Sequence, residues 1–121
     1  MESEAGSFNV AIVRGCCSSV PEVRVLPSSQ RLAQLQVTAR VGERGVSVPV
    51  SVLEPPAWVE SLDVGDEVIV LGAVRRRFFR AAGATASRVE IEAEIVCRAR
   101  DRRRSRALRR RIEEVLEELD S

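Results

Sequence analysis

The chain has 121 residues, which suffices for one domain with its own hydrophobic core and leaves room for a short appendage. Hydrophobic residues make up 45% of the sequence and aromatic residues only 3%, and histidine is absent. Since no nucleophile–base pair involving histidine can form, we expect a binding protein and not an enzyme. The net charge of +1 does not by itself indicate a nucleic-acid-binding protein.

The charge is unevenly distributed along the chain. All 19 basic residues are arginines; residues 1–96 hold 10 of them against 12 acids, and residues 97–121 hold 9 against 6 acids. Cys16, Cys17 and Cys97 lack zinc-ligand spacing, so we expect reduced thiols, no metal and no cofactor. Residues 1–7 are short and acidic, unlike a signal peptide, and predict a flexible N-terminus on a cytoplasmic protein.

The first half of the chain predicts strands. Residues 9–13 indicate a strand that ends at Gly15, and residues 22–26 a short extended segment. Residues 31–38 and 46–52 alternate between apolar and polar side chains across a turn at residues 40–45, as in a β-hairpin. Pro49 cannot donate to a ladder, so we expect an edge or a bulge there.

A short helix is predicted at residues 57–62, after two prolines. Strands follow at residues 67–80, with a bend or bulge at Gly72, and at residues 87–97, with a turn around Gly83. In the last strand the alternation places Ile95 and Cys97 among the inward side chains and the glutamates outward. The inward set is Val89, Ile91, Ala93, Ile95 and Cys97, and the outward set is Glu90, Glu92 and Glu94.

This order predicts a mainly β fold: a five-stranded OB-type barrel with a short helix between strands 3 and 4, plus a C-terminal α-helix. An antiparallel sandwich of another topology would give a similar order, so pattern alone leaves both open. The predicted boundaries are residues 8–98 for the barrel and residues 101–120 for the charged helix. Trp58, in the short helix, is expected to pack in the core.

The C-terminal helix carries a four-three-four apolar repeat, which we assign to oligomerisation: Leu108, Ile112, Val115 and Leu119. Its charges run basic and then acidic, the reverse of what the helix dipole favours. Antiparallel pairing with a second copy would place each basic half beside an acidic half. The alternatives are that the apolar stripe packs on its own barrel, or that it binds a partner protein.

Three segments resemble the bacterial single-stranded DNA-binding protein family. Residues 8–15 resemble the family's opening Asn-x-Val-x-Leu-x-Gly. Residues 20–29 match its Asp-Pro-Glu-Val-Arg-Tyr-Thr-Pro-Ser-Gly through Pro-Glu-Val-Arg and Pro-Ser. Residues 64–72 are similar to its Gly-x-x-Val-x-Val-x-Gly. The resemblance covers residues 8–97 and implies an OB fold, single-stranded DNA as partner, a homo-oligomer (dimer or tetramer), and a role in DNA replication, repair or recombination in the bacterial cytoplasm.

The sequence departs from the family in three places. Its third strand reads Val-Ser-Val-Pro-Val-Ser-Val where the family carries stacking aromatics, and the loop between strands two and three is cut to residues 41–45. A charged helix stands in place of the acidic, Phe-terminated tail. Recruitment of partners through such a tail is therefore not expected.

Candidate contacts with a nucleic acid strand are arginines and phenylalanines: Arg24, Arg31, Arg40, Arg44, Arg76, Phe78, Phe79 and Arg80. Adjacent strand residues face opposite ways, so we expect one phenylalanine to stack on bases and the other to pack inward. Gln34, Gln36, Ser47 and Ser51 offer hydrogen bonds on one strand face. Arg75 and Arg77 have an alternative role in cross-strand ion pairs with Glu92 and Glu90.

Two functions follow from these features. The first is a divergent single-stranded DNA-binding protein that binds non-specifically through arginines and few aromatics. The alternative is a scaffold or protein–protein interaction module with an OB fold that has lost DNA binding and acts through its C-terminal helix.

Overall fold

The computed structural model describes residues 7–120, so most of the segment predicted to be flexible, residues 1–7, lies outside the described residues. Within the described part, four strands, a short helix, two strands and a long helix follow one another along the chain. Their bounds are β1 Ala11–Cys17, β2 Glu22–Val25, β3 Arg31–Val41, β4 Arg44–Leu53, α1 Ala57–Glu60, β5 Glu67–Ala81, β6 Ala84–Arg98 and α2 Arg102–Leu119.

Five of the strands close into a barrel. The sheet order is β1-β5-β6-β4-β3-β2, and a further pairing of β1 with β3 joins the two ends of the five-stranded part. β4 and β6 run parallel, paired at Val50↔Ile91 and Ser51↔Glu92, while the other pairs are antiparallel. The predicted mainly β barrel with a C-terminal helix is confirmed, and the sandwich alternative is excluded.

The barrel closes at Gly15, where the sequence predicted that the first strand would end. That prediction is wrong: β1 continues to Cys17 and pairs with β3 at Cys16↔Thr38. A Cβ at Gly15 would lie 2.3 Å from the carbonyl oxygen of Thr38, closer than any real contact. Glycine is needed here because the backbones of β1 and β3 approach each other, and not because the strand turns.

Aliphatic side chains fill the barrel, as the alternation in β3 and β4 predicted for all but Val46, which is 44% exposed. Ala33, Leu35 and Val37 of β3 and Val50 and Val52 of β4 are all buried in one cluster. Pro49 precedes the two residues through which β4 pairs with β6, so its missing N–H lies on the side of β4 that is still open.

A bulge in the β5–β6 pairing changes which residues of β6 face the core. The register shifts between Leu71 and Gly72, as the glycine predicted. Beyond the shift Val96 packs in the barrel, while Ile95 and Cys97 pack with Leu71 against α2. The prediction that Ile95 and Cys97 face the barrel interior is therefore wrong, because one extra residue in a ladder reverses the alternation after it.

The segment after β4 contains α1, a single helical turn that lies between β4 and β5. Val59 and Leu62 are buried beneath it. Trp58 packs against the core but is only partly buried. Its ring is flanked by two guanidinium groups, of Arg98 at 5.8 Å and Arg104 at 5.4 Å from the ring centroid, so its outer surface stabilises cations and does not lie deep in the core.

α2 packs on β5 and β6 of its own chain. Asp101 caps its first turn by accepting a hydrogen bond from the Arg104 backbone N–H, and Leu108 lies 2% exposed against Leu71 and Cys97. Leu119, by contrast, is 57% exposed. No helix within residues 7–120 is long and apolar enough to cross a membrane.

An ion pair fixes the middle of α2. The Arg111 guanidinium donates to both carboxylate oxygens of Glu94, each at 3.0 Å, and also to Glu114 at 3.2 Å. The hydrogen bonds from Arg111 hold the pKa of the Glu94 carboxyl below its ordinary value. The apolar stripe assigned to oligomerisation is thus partly used within the chain, at Leu108 and Val115, and its role between chains stays a prediction.

Candidate nucleic-acid interface

The outer surface of β3 and β4 carries polar side chains. The alternation that buries the valines turns Gln34, Gln36 and Thr38 of β3 outward, with Ser47 and Pro49 of β4 beside them. Ser51, which was predicted to offer hydrogen bonds on this face, is 0% exposed, so that part of the prediction is wrong. We call this surface the β3–β4 face. The hydroxyl groups of Thr38 and Ser47 are hydrogen-bonded at 3.0 Å, and the face contains no aromatic ring. It can form hydrogen bonds with bases or sugars but cannot stack on them.

The β5–β6 hairpin rises beside this face. β1 pairs with β5 as far as Gly72, so the following residues of β5 up to Ala81 pair with β6 alone. The two turn residues, Ala82 and Gly83, have φ angles of 50° and 78°, as the tight hairpin turns require. The hairpin therefore extends beyond the barrel as a two-stranded arm.

A cleft of about 240 Å³ lies between the arm, β2 and the β3–β4 face. Four arginines, one aromatic ring and one amide line it: Arg24, Gln34, Arg77, Phe79, Arg80 and Arg88. Arg24 and Arg80 have no carboxylate partner within residues 7–120. Two unpaired cations beside an exposed ring form an arrangement that suits a phosphate and an adjacent base.

Glu90 lies buried under the cleft. Its side chain is 1% exposed, and Arg77 Nε donates to its Oε2 at 3.0 Å while Arg88 Nε lies 3.7 Å from its Oε1. The prediction that Glu90 faces solvent is wrong, because the two arginine side chains cover it. A buried carboxylate between two guanidinium groups orients both of them, which fixes the floor of the cleft.

The cross-strand ion pairs predicted as an alternative role for Arg75 and Arg77 are present. Arg75 Nη1 donates to Glu92 Oε2 at 2.6 Å, and Arg77 donates to Glu90 as described. Both pairs are diagonal, since the register places Arg75 opposite Glu90 and Arg77 opposite Arg88. These two arginines therefore serve the arm's structure first.

Three polar atoms beneath the interface lack a hydrogen-bond partner within the described residues: Ser51 Oγ, Arg88 Nε and Glu90 Oε1. Ser51 and Glu90 are each at most 2% exposed. Polar groups buried in this way cost free energy unless they are satisfied. Two of the three atoms, Arg88 Nε and Glu90 Oε1, face each other at 3.7 Å, so their charges compensate although the distance is too long for a hydrogen bond.

The two phenylalanines lie on opposite faces of the arm, as predicted for adjacent strand residues, with Phe79 lining the cleft. Phe78 is 67% exposed and Phe79 is 36% exposed. The expectation that one of them packs inward is wrong, because the arm extends past the barrel and has no core to pack into. Arg76, on the Phe78 face, donates to Ser87 Oγ at 3.0 Å.

The remaining predicted contacts lie away from the cleft. Arg31 pairs with Glu60 at the start of β3. Arg40 continues the β3–β4 face at its other end, donating to the Glu43 carbonyl at 2.8 Å, and Arg44 is exposed beside it. The structure thus brings Arg24, Phe79 and Arg80 together and separates the others.

Sequence reasoning missed Arg88 and the involvement of Arg77 in the cleft. Arg88 shares the face of Glu90 and Glu92 by the two-residue period of a strand, and that period was the available signal. Neither the burial of Glu90 nor the approach of β2 to the arm can be obtained from that period.

Comparison with solved structures shows the fold. A crystal structure of a deletion mutant of the single-stranded DNA binding protein from Thermus aquaticus superposes with a TM-score of 0.64 at 21% sequence identity. The fold is an OB fold. The match covers 81% of this chain and 44% of that one, so this chain spans less than half of that protein's length. No protein-family model matches the sequence, and no curated protein matches it.

Proposed function

We propose that this protein binds single-stranded DNA without base specificity, along the β3–β4 face and into the cleft beneath the β5–β6 arm. The observation that carries the proposal is the cleft itself, with Phe79 beside the unpaired arginines Arg24 and Arg80. In OB folds the face of the second and third barrel strands and the adjoining loops are where oligonucleotides bind. The shared fold with a single-stranded DNA binding protein supports the same reading.

The contacts divide by chemistry. Arg24 and Arg80 neutralise phosphate in the cleft, while Phe79 offers one flat face to a base. The strand then follows Gln36 and Thr38, which hydrogen-bond to bases or sugars, toward Arg40 at the far end of the face. Gln34 and Arg40 are six residues apart on β3, a distance of about 20 Å.

Binding of this kind depends mainly on charge. A stacked base contributes about 1–3 kcal/mol, and the cleft supplies one such ring, Phe79, where a better binder has several. With about four phosphate contacts, the logarithm of affinity falls with the logarithm of salt concentration with a slope near −3 on single strands. The protein is therefore a weak, salt-sensitive binder that gains from assembling several copies on one strand.

The decisive experiment is fluorescence anisotropy of a labelled oligothymidylate at two salt concentrations, beside a duplex of the same length. We expect salt-sensitive binding that favours the single strand and is weakened by Arg24→Gln and Arg80→Gln. Arg14→Gln is the matched control, since Arg14 of β1 pairs with Glu67 of β5, away from the cleft. Equal losses in control and cleft variants would contradict the proposal.

The absence of aromatic rings from the β3–β4 face favours a second candidate, an OB-fold interaction module that acts through α2. It predicts no binding to either DNA even at low salt. We further propose, from the fold it shares with a DNA-binding protein, that the chain acts in the cytoplasm as a homo-oligomer in DNA replication, repair or recombination.

A further inference from the structure

The first half of α2 presents a continuous set of arginines to solvent. Their spacing places them on one face of the helix, opposite the side that packs on the barrel. We call this set the α2 stripe: Arg102, Arg103, Arg106, Arg109 and Arg110. All five are exposed, and none has a carboxylate partner within residues 7–120.

Neighbouring arginines on the same helix behave differently. Arg104 is paired with Asp101 and lies over Trp58, and Arg111 is bound by Glu94 and Glu114. These two lie toward the barrel and stabilise the docking of the helix. The α2 stripe, facing away, has no such role within the chain.

Helix stability does not explain the stripe. Cations in the first turn oppose the helix dipole, so Arg102 and Arg103 destabilise the helix. Arg109–Glu113 and Arg110–Glu114 have the spacing of helical ion pairs, yet the bond that Glu114 makes is to Arg111. The α2 stripe therefore carries uncompensated positive charge, which suits a ligand of opposite charge.

The stripe is carried on a fixed backbone. The Asp101 cap holds its beginning, Leu108 is buried in its middle, and the two hydrogen bonds from Arg111 to Glu94 hold its end. Arg102 and Arg110 are eight residues apart, which is about 12 Å along the helix axis. A rigid row of cations of this length matches the repeating charge of a phosphate backbone.

The stripe begins at the opposite end of β6 from the cleft, and its last residues lie beside Arg111, which binds Glu94. Ser105 packs on Cys97, at 3.8 Å between the oxygen and sulfur atoms, while Glu90 underlies the cleft. Seven strand residues separate Glu90 from Cys97, or about 23 Å. At about 3.4 Å per nucleotide, a strand needs about seven nucleotides to reach from the cleft to the beginning of the stripe.

We propose that the α2 stripe is a second binding surface for the phosphate backbone of nucleic acid, separate from the cleft. The choice of nucleic acid as the polyanion rests on the proposed function. A long strand held in the cleft reaches the α2 stripe at a high effective concentration, so its affinity rises. A strand too short to reach the stripe gains no affinity from it. The stripe thus makes this chain's affinity depend on strand length.

The test compares native protein with Arg102→Gln/Arg106→Gln/Arg110→Gln, whose glutamines keep helix propensity. The probes are labelled oligothymidylates of about 5 nucleotides, within the site size of one OB fold but too short to reach the beginning of the stripe, and about 40 nucleotides. We expect unchanged affinity for the short probe. For the long probe the salt slope becomes less steep by about 2, at about 0.7 per lost contact. The Arg→Lys variant at the same positions keeps the charge and should bind like the native protein.

A salt slope on the long probe that is unchanged by the glutamine variant overturns the inference. If the same variant instead changes the molar mass by light scattering without changing the slope, the stripe pairs with the acidic half of a second copy and the inference is also wrong. Failure of the proposed function gives a different result. If the cleft does not bind the strand, Arg24→Gln/Arg80→Gln leaves short-probe binding intact. Loss of long-probe affinity in the stripe variant would then still support the inference.

Discussion

Arg77 Nε lies 3.0 Å from Glu90 Oε2, and the carboxylate side chain that it holds is only 1% exposed. The pair joins the two strands of the arm directly beneath the cleft. Its burial separates it from the neighbouring Arg75–Glu92 pair, in which the side chains are 50% and 38% exposed. The two pairs have the same chemistry and the same diagonal geometry, so burial alone should distinguish their effects on stability.

We predict that Arg77→Ala lowers the free energy of unfolding by about 3 kcal/mol, because it leaves the buried Glu90 carboxylate without its hydrogen-bonded partner. Arg75→Ala should cost less than about 1 kcal/mol, as exposed pairs do. Urea unfolding of both variants measures the difference. Equal, small losses in the two would mean that Arg88 compensates for Arg77 and that the buried pair does not hold the arm.

The two phenylalanines of the arm give a prediction for binding. Phe79→Ala should weaken binding of oligothymidylate about tenfold, since loss of one stacked base costs about 1–3 kcal/mol. Phe78→Ala, on the opposite face of the arm, should change it less than twofold. Anisotropy titrations at fixed salt measure both. The reverse order would move the interface to the face that carries Phe78 and Arg76.

Gly15 and Gly45 provide a matched pair for the barrel closure, because both lie against Thr38. A Cβ at Gly15 would meet the Thr38 carbonyl oxygen at 2.3 Å, whereas at Gly45 it would meet only the Thr38 side-chain methyl at 3.2 Å. We expect Gly15→Ala to lower the melting temperature strongly, with a cost of about 1–3 kcal/mol or more from overpacking. Gly45→Ala should be nearly neutral. Similar melting curves for both would show that β1 and β3 can separate at no cost.

The Arg111–Glu94 pair gives a prediction in pH. Hydrogen bonds from Arg111 lower the pKa of the Glu94 carboxyl below its ordinary 4.5. A carboxyl with a lowered folded-state pKa contributes stability above its unfolded-state pKa and loses it as the pH falls through the folded-state value. Glu94→Gln should therefore be less stable than the native protein at pH 7, by about 1 kcal/mol. The two should converge below pH 4.5.

Denaturant unfolding across pH 2–7 measures this difference, with Glu113→Gln as the control for an exposed glutamate on the same helix. The control should follow the native curve throughout. A gap that widens as the pH falls would contradict the assigned sign.

The docking of α2 gives the last prediction. Leu108→Ala should cost about 2–5 kcal/mol, because the side chain is buried against Leu71 and Cys97. Leu119→Ala, at an exposed position, should cost less than about 0.5 kcal/mol. Thermal unfolding at two protein concentrations measures both effects. A melting temperature that depends on concentration in the native protein, and no longer does in Leu119→Ala, would support the oligomerisation assigned to this stripe.

Local chemistry accounts for what the sequence could predict. The two-residue period of β3 and β4 identified the inward valines. The glycines Gly42 and Gly83 identified the two hairpin turns, where the structure gives both of them positive φ angles. The apolar repeat of α2 located its buried side at Leu108 and Val115. Each of these depends on side chains a few residues apart, and such spacing is fixed by the geometry of a strand or a helix.

Long-range packing decided the rest. Gly15 marks a close approach of two strands and not a strand end, and the bulge at Gly72 turned Cys97 from the barrel toward α2. Glu90, outward by its period, became buried because Arg77 and Arg88 cover it. The sequence by itself determined which segments form strands and a C-terminal helix, because that depends on local periodicity. Only the tertiary structure decided how far β1 runs, which side chains face inward beyond the bulge, and which arginines meet at the cleft. Arg24 lies on β2 and Arg80 on the arm, and no local spacing records the approach of residues so far apart in the chain.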